Sequence, residues 1–155
     1  MKYSIIKQCI ALSLAVLFTF CAGPGSRKSR TGWKAGHVVL IGLDGWGAYS
    51  VEKADMPNVK QLMQNGSFTL SKRSVLPSSS AVNWASMFMG ACPELHGYTE
   101  WGSRIPELPS RVLNRNGIFP NIFQLLRDAA PDAEIGMLYD WDGIKYLSDT
   151  LTLNY

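Results

Sequence analysis

The stretch His37-Val38-Val39-Leu40-Ile41-Gly42-Leu43-Asp44-Gly45 decides how the rest of this chain reads. Its run from Val38 to Leu43 is continuously apolar and opens with two β-branched valines, a length and composition that suit a strand. A run that is apolar at every position predicts a strand buried on both faces, as in a parallel sheet. Asp44 closes the run at the carboxyl end of that strand, where open α/β sheets place their ligands. A carboxylate there, followed by a glycine for a tight turn, suits a hard or borderline cation. The same residues also suit an aspartate that caps the next turn through its own backbone.

Downstream, the pattern alternates. Met56-Pro57-Asn58 opens a helix expected near 57–65, with Pro57 at its start, Val59, Leu62 and Met63 on one face, and Asn65-Gly66 as the stop. Residues 67–76 read as a second strand, and Ala81 to Met89 as a helix with Trp84, Met87 and Phe88 apolar. Pro120 begins a further helix through Ile122, Phe123, Leu125 and Leu126, ending before Pro131. Residues 134–139 read as a third strand, and Asp142 is placed to cap a short helix over Ile144 to Leu147. Strands alternating with helices predict an α/β fold, layered α/β/α, with 38–43, about 69–75 and 134–139 as neighbouring, mostly parallel strands.

Upstream, the chain begins as an export signal. Lys2 and Lys7 precede the uncharged apolar run Cys9 to Phe20, which is shorter than the roughly 20 residues of a membrane span. Two endings are open at Cys21-Ala22-Gly23: ordinary cleavage after small residues, or lipidation of Cys21 as in a bacterial lipoprotein, against which bulky Phe20 argues. The expected layout is a signal over 1–22, a linker over 23–36 rich in Gly, Pro, Ser, Lys and Arg, and a folded part over 37–155. The expected destination is the periplasm, the cell envelope or the outside. With 155 residues, 46% apolar and 17% charged, the chain has one domain's worth of globular material and is not disordered. Its net charge of +3 owes much to Arg27, Lys28, Arg30 and Lys34 in the linker, which excludes a nucleic-acid-binding face. Cys92 is the one cysteine clear of the signal, so no internal disulfide framework is expected. It reads as a small buried hydrophobe rather than a nucleophile.

Chemistry concentrates in Pro77-Ser78-Ser79-Ser80-Ala81-Val82-Asn83, between an expected strand and an expected helix. A hydroxyl at a helix N-terminus meets unpaired backbone N–H groups and the positive end of the macrodipole, where phosphate binds readily. Serine becomes a good nucleophile only with a base or a metal beside it. By itself the segment also fits a serine acting as an N-cap.

The ordered set of motifs resembles the type I phosphodiesterase/nucleotide pyrophosphatase family of the alkaline phosphatase superfamily. The set is the strand ending in Asp44-Gly45, then Met56-Pro57-Asn58-Val59, then Leu76-Pro77 to Asn83, then Gly90-Ala91-Cys92-Pro93-Glu94-Leu95-His96-Gly97-Tyr98. The resemblance covers about residues 37–100, and continues less specifically through Tyr139-Asp140-Trp141-Asp142-Gly143. It implies an alkaline-phosphatase-like α/β fold and a hydrolase of small phosphoesters such as nucleotides. It also implies two divalent metal ions, zinc in this family. By position, Asp44 matches the first metal-ligating aspartate and Ser80 the nucleophile, more usually Thr, which also touches metal. Asn83 falls on an asparagine that hydrogen-bonds the bound phosphoryl oxygen. His96 is implied to be a structural residue of its turn.

Some positions depart from the family. Ala81-Val82 stand where Phe-Pro is common, which leaves Ser78 and Ser79 open as the reacting hydroxyl. Val82 and Trp84 argue against a sulfatase, which needs Pro and Arg there, and Ser79 replaces the aspartate that precedes the serine of alkaline phosphatase proper. The chain has only His37 and His96, and no Asp-His pairing follows residue 100. Asp140 and Asp142 read as loop caps. The full ligand set is therefore absent, and the expectation is a truncated N-terminal part of a catalytic domain, inactive alone. The alternatives are a non-catalytic exported phosphate- or anion-binding module, or a degenerate remnant of the same fold.

Overall fold

A computed structural model describes residues 36–155 of the chain. The expected signal, Cys21 and all but the last residue of the linker lie outside the described residues. The described residues belong to two units, divided between Gly42 and Leu43. In the first, residues 36–42 take no regular secondary structure. In the second, α1 (Tyr49–Lys53), α2 (Pro57–Asn65), α3 (Ser80–Met89), α4 (Pro93–His96) and α5 (Ile122–Ala129) are followed by two 3₁₀ helices, Asp142–Leu147 and Thr150–Thr152.

Helix α3 organises the second unit. Its buried residues Ala81, Val82, Ala85, Phe88 and Met89 recur at helical spacing and mark one inward face. Gly90 ends the helix in the left-handed conformation, at φ 60°. The 3₁₀ helix Asp142–Leu147, α4 and α5 all pack on α3. The core therefore joins Ala81, Ala85, Phe88 and Met89 to Tyr98, Phe119, Ile144 and Leu147. Phe88 bridges the aromatics, with ring centroids 5.8 Å from Trp84 and 5.4 Å from Phe123. Tyr98 Oη donates to the Tyr146 carbonyl at 3.0 Å and fixes the 3₁₀ helix to the loop after α4.

The peripheral helices follow local rules. Pro57 stands in the first turn of α2, which stops at Gly66. Asn121 caps α5, its Oδ1 accepting from the N–H groups of Phe123 and Gln124, each at 3.1 Å. That cap starts α5 after Pro120 rather than at it. Gly97 follows α4 at φ 87°, and a Cβ there would fall on the Leu108 carbonyl, so the turn admits only glycine.

The parallel sheet is the expectation this structure does not bear out: among the described residues there is no strand. A two-faced apolar strand needs neighbours along both edges and a layer over each face. Val38, Val39, Leu40 and Ile41 are instead 66–86% exposed. Residues 67–76 are irregular and mostly exposed. Residues 134–139 come nearest to pairing, through Asn154 N–H to the Ile135 carbonyl at 2.7 Å and Met137 N–H to the Tyr155 carbonyl at 3.0 Å. Two bonds do not make a ladder, and Leu138, the residue after them, stands fully exposed.

Candidate active site

Residues far apart in sequence meet at the amino end of α3. Asp44 and Gly45 form a turn, and Gly45 holds φ 69°, a left-handed conformation that suits glycine. One helical turn into α3, the Trp84 indole N–H donates to Asp44 Oδ2 at 3.1 Å. The Ser80 hydroxyl lies beside the same carboxylate. Partial burial pushes the Asp44 carboxyl upward, but the Ser80 and Trp84 side chains and the Gly45 N–H outweigh it and hold the group below its ordinary value. Among these contacts the Trp84 indole makes the fully formed hydrogen bond.

The three adjacent serines are in different situations. The Ser78 hydroxyl accepts from the Ser74 hydroxyl at 2.9 Å. Ser79 is the N-cap residue of α3, but its side chain makes no capping bond and its Oγ is buried without a partner. Of the three, Ser80 is the one whose side chain acts on the Asp44 carboxyl, lowering it. Asn83 Oδ1 accepts from the Val75 N–H at 3.0 Å and its Nδ2 donates to the Ser79 carbonyl at 3.0 Å. The side chain therefore pins the loop before α3 and keeps one amide proton for another acceptor. The helix end is partly covered, because the Ala81 N–H donates to the Trp101 carbonyl at 3.3 Å.

Further along α3, Ser86 Oγ lies 3.0 Å from His96 Nε2, a spacing that resembles a nucleophile and its base. The other nitrogen decides against it. Nδ1 accepts from the Tyr98 backbone N–H at 3.1 Å, so Nε2 carries the ring proton and has no lone pair for the serine. His96 is a buried residue of its turn. Cys92 is exposed, which corrects the expectation of a buried small hydrophobe. It stands at the N-cap of α4. Asp142 lies inside the first turn of its 3₁₀ helix rather than capping it, and pairs with Lys145 at 2.7 Å.

The sequence profile of the family described as type I phosphodiesterase / nucleotide pyrophosphatase matches residues 38–121, just over half of the chain. The chain belongs to this family. Similarity to venom phosphodiesterase 2 of Crotalus adamanteus is 32% identity over 79 residues, covering 50% of this chain and 10% of the relative. The same identity and coverage hold for venom phosphodiesterase CdcPDE of Crotalus durissus collilineatus. The venom phosphodiesterase of Macrovipera lebetinus is 30% identical over 79 residues, 50% of this chain and 9% of the relative. The chain thus spans about a tenth of the length of these relatives. No solved structure matches it.

Type I phosphodiesterases are as a family generally metal-dependent, so the described residues can be tested against a metal centre. Asp44 and Ser80, whose side chain lowers the Asp44 carboxyl, offer two oxygen donors. No group of three His, Cys, Asp or Glu side chains able to hold an ion occurs among the described residues. Catalytic zinc generally keeps three protein ligands, so the described residues do not fit a complete centre. Two contributors escaped the sequence reading. Trp84 read as an apolar helix residue, although its position four beyond Ser80 puts it one turn along the same face. Trp101 reaches the helix end through its backbone, which no side-chain signal announces.

Proposed function

We propose that this segment carries the nucleophile end of a phosphoester hydrolase site, with Ser80 as the attacking group and Asp44 and Ser80 as its metal contacts. The observation that carries the reading is the Trp84 indole bond to Asp44 at 3.1 Å, which ties the Asp44 turn to the first turns of α3, the helix that Ser80 begins. The family match supports the reaction class, and the substrate proposed is a small phosphodiester such as a nucleotide. Asn83, with one amide proton left, is the proposed donor to a phosphoryl oxygen. The helix end favours an alkoxide by about 0.3–1 kcal/mol, less than one pKa unit, so Ser80 stays protonated near neutral pH on that account alone. Asp44 faces the hydroxyl and accepts from Trp84, which keeps the carboxylate oriented toward it.

Two donors fall short of a centre, so the whole family activity is proposed for a polypeptide that adds the remaining ligands. Export is proposed from the basic and then apolar amino end, and the relatives' names place them in venom. No helix among the described residues is long and apolar enough to cross a membrane.

Trp84 supplies the test, because its indole touches the proposed metal contact. Zinc added to the chain should change Trp84 fluorescence, defined as the part of the signal lost in Trp84→Phe. Asp44→Asn should remove that zinc response, and Ser80→Ala should weaken it. A Trp84 response that survives Asp44→Asn would refute Asp44 as a metal contact.

A further inference from the structure

His96 takes no part in the proposed phosphoester site, yet it is fully buried at 0% exposure. With Nδ1 accepting from the Tyr98 N–H, the neutral ring donates from Nε2 to Ser86 Oγ at 3.0 Å. That hydroxyl in turn donates to the Val82 carbonyl at 2.8 Å. Donors and acceptors therefore run in one direction from Tyr98 through His96 and Ser86 to the backbone of α3. Ser110 Oγ holds the other side of the residue, donating to the His96 carbonyl at 2.7 Å. A satisfied chain of this kind is stable only while every member keeps its role.

We propose that His96 is an acid-released latch: neutral, it clamps the turn after α4 onto α3, and a second proton, on Nδ1, sets the turn free. Protonated Nδ1 and the Tyr98 N–H would be two donors facing each other, so the bond between them cannot survive. The surroundings offer the new charge little. Helix α3 presents the neutral Ser86 hydroxyl, and the following loops present the Tyr98 and Phe119 rings, at 5.7 Å and 6.4 Å between centroids. Glu94, on the histidine's own helix, is the charged side chain that acts on the ring. Burial disfavours the imidazolium more strongly than Glu94 favours it, and holds His96 below the ordinary histidine value.

The sign follows from linkage. The unfolded chain takes up this proton near pH 6.5, whereas the folded chain resists it until lower pH. Between those values the unfolded state binds more protons, so stability falls as the pH drops below about 6.5. Helix α3 also carries Ser80, Asn83 and Trp84, so release at Ser86 reaches the candidate site through one helix. The latch rests on hydrogen bonds and burial and stands independently of the phosphoester reading.

The experiment is a pH series on the 155-residue chain, labelled with ¹⁵N and followed by NMR. At neutral pH the His96 ring should carry its proton on Nε2 and none on Nδ1. As His96 takes up the second proton, protection of the Tyr98 amide against hydrogen exchange should fall at least tenfold. In parallel, the melting temperature should drop more between about pH 7.5 and 5.5 for the native chain than for His96→Gln, which cannot titrate. An Nδ1-protonated ring at neutral pH would overturn the proposal. So would a His96 that titrates while Tyr98 protection stays constant. Both readings come from the native chain, so they decide the matter even where His96→Gln fails to fold.

Discussion

Removing the Leu147 side chain tests whether the 3₁₀ helix Asp142–Leu147 is truly docked on α3. Leu147 is 0% exposed and sits in the core with Ala81, Ala85 and Phe88. Leu147→Ala removes three carbons, worth roughly 2.4 kcal/mol at about 0.8 kcal/mol per buried carbon group. A cavity that fails to collapse adds to this, so the expected loss is about 3–5 kcal/mol. For a chain of this size each kcal/mol moves the melting temperature by roughly 2–4 °C, giving a fall on the order of 6–20 °C. Leu151→Ala is the matched control, since Leu151 lies in the next 3₁₀ helix but is 78% exposed. Its loss should stay within about 0.5 kcal/mol. Urea denaturation followed by circular dichroism reads both. Equal losses for the two variants, or a Leu147→Ala loss below about 1 kcal/mol, would refute the docking of this helix on α3.

Other outcomes follow from smaller features. Asn121→Ala strips two N–H groups of α5 of their acceptor and should cost about 1 kcal/mol, with Asn121→Ser recovering part of it, both read by urea denaturation. Asp44, held below the ordinary carboxylate value, contributes stability that is complete above the unfolded value near 3.9 and is lost as the pH falls through the folded one. Trp84→Phe removes one of the groups that lower it, so the Asp44 carboxyl titration, followed by ¹³C NMR, should move upward. An unchanged midpoint would separate Trp84 from Asp44. Finally, the 155-residue chain should not hydrolyse a nitrophenyl phosphodiester with added zinc, because Asp44 and Ser80 supply fewer than the three ligands of a catalytic ion. Zinc-dependent turnover abolished by Ser80→Ala would show that further ligands are already present.

Local signals sufficed wherever the determinant was local. Pro57 and Gly66 bracket α2 as the start and stop residues suggested, and apolar spacing located α3 to within a residue. The ordered motifs from Asp44 to Gly97 carried the family by themselves, because each reflects a turn or helix start encoded within a few residues. The short helices Tyr49–Lys53 and Pro93–His96 went unread, being too brief to show a period. The sheet is the clearest limit. An apolar run such as Val38 to Leu43 states that a strand could be buried, but pairing depends on partners elsewhere, and the described residues provide none.

The candidate site divides in the same way. Sequence determined the residue types at the amino end of α3; the family resemblance put Ser80 at the nucleophile position and left Ser78 and Ser79 open beside it. Only tertiary structure gave the three different surroundings: the Ser80 side chain acts on the Asp44 carboxyl, Ser78 is bonded to Ser74 and the Ser79 hydroxyl is buried. The same holds for His96. Its motif marks a turn, but the placing of its ring proton depends on the Tyr98 N–H and on Ser86 from another helix. Helix starts and stops are set by backbone geometry over a few residues. Which hydroxyl meets a carboxylate, and where a ring keeps its proton, is set by contacts that exist only once the chain has packed.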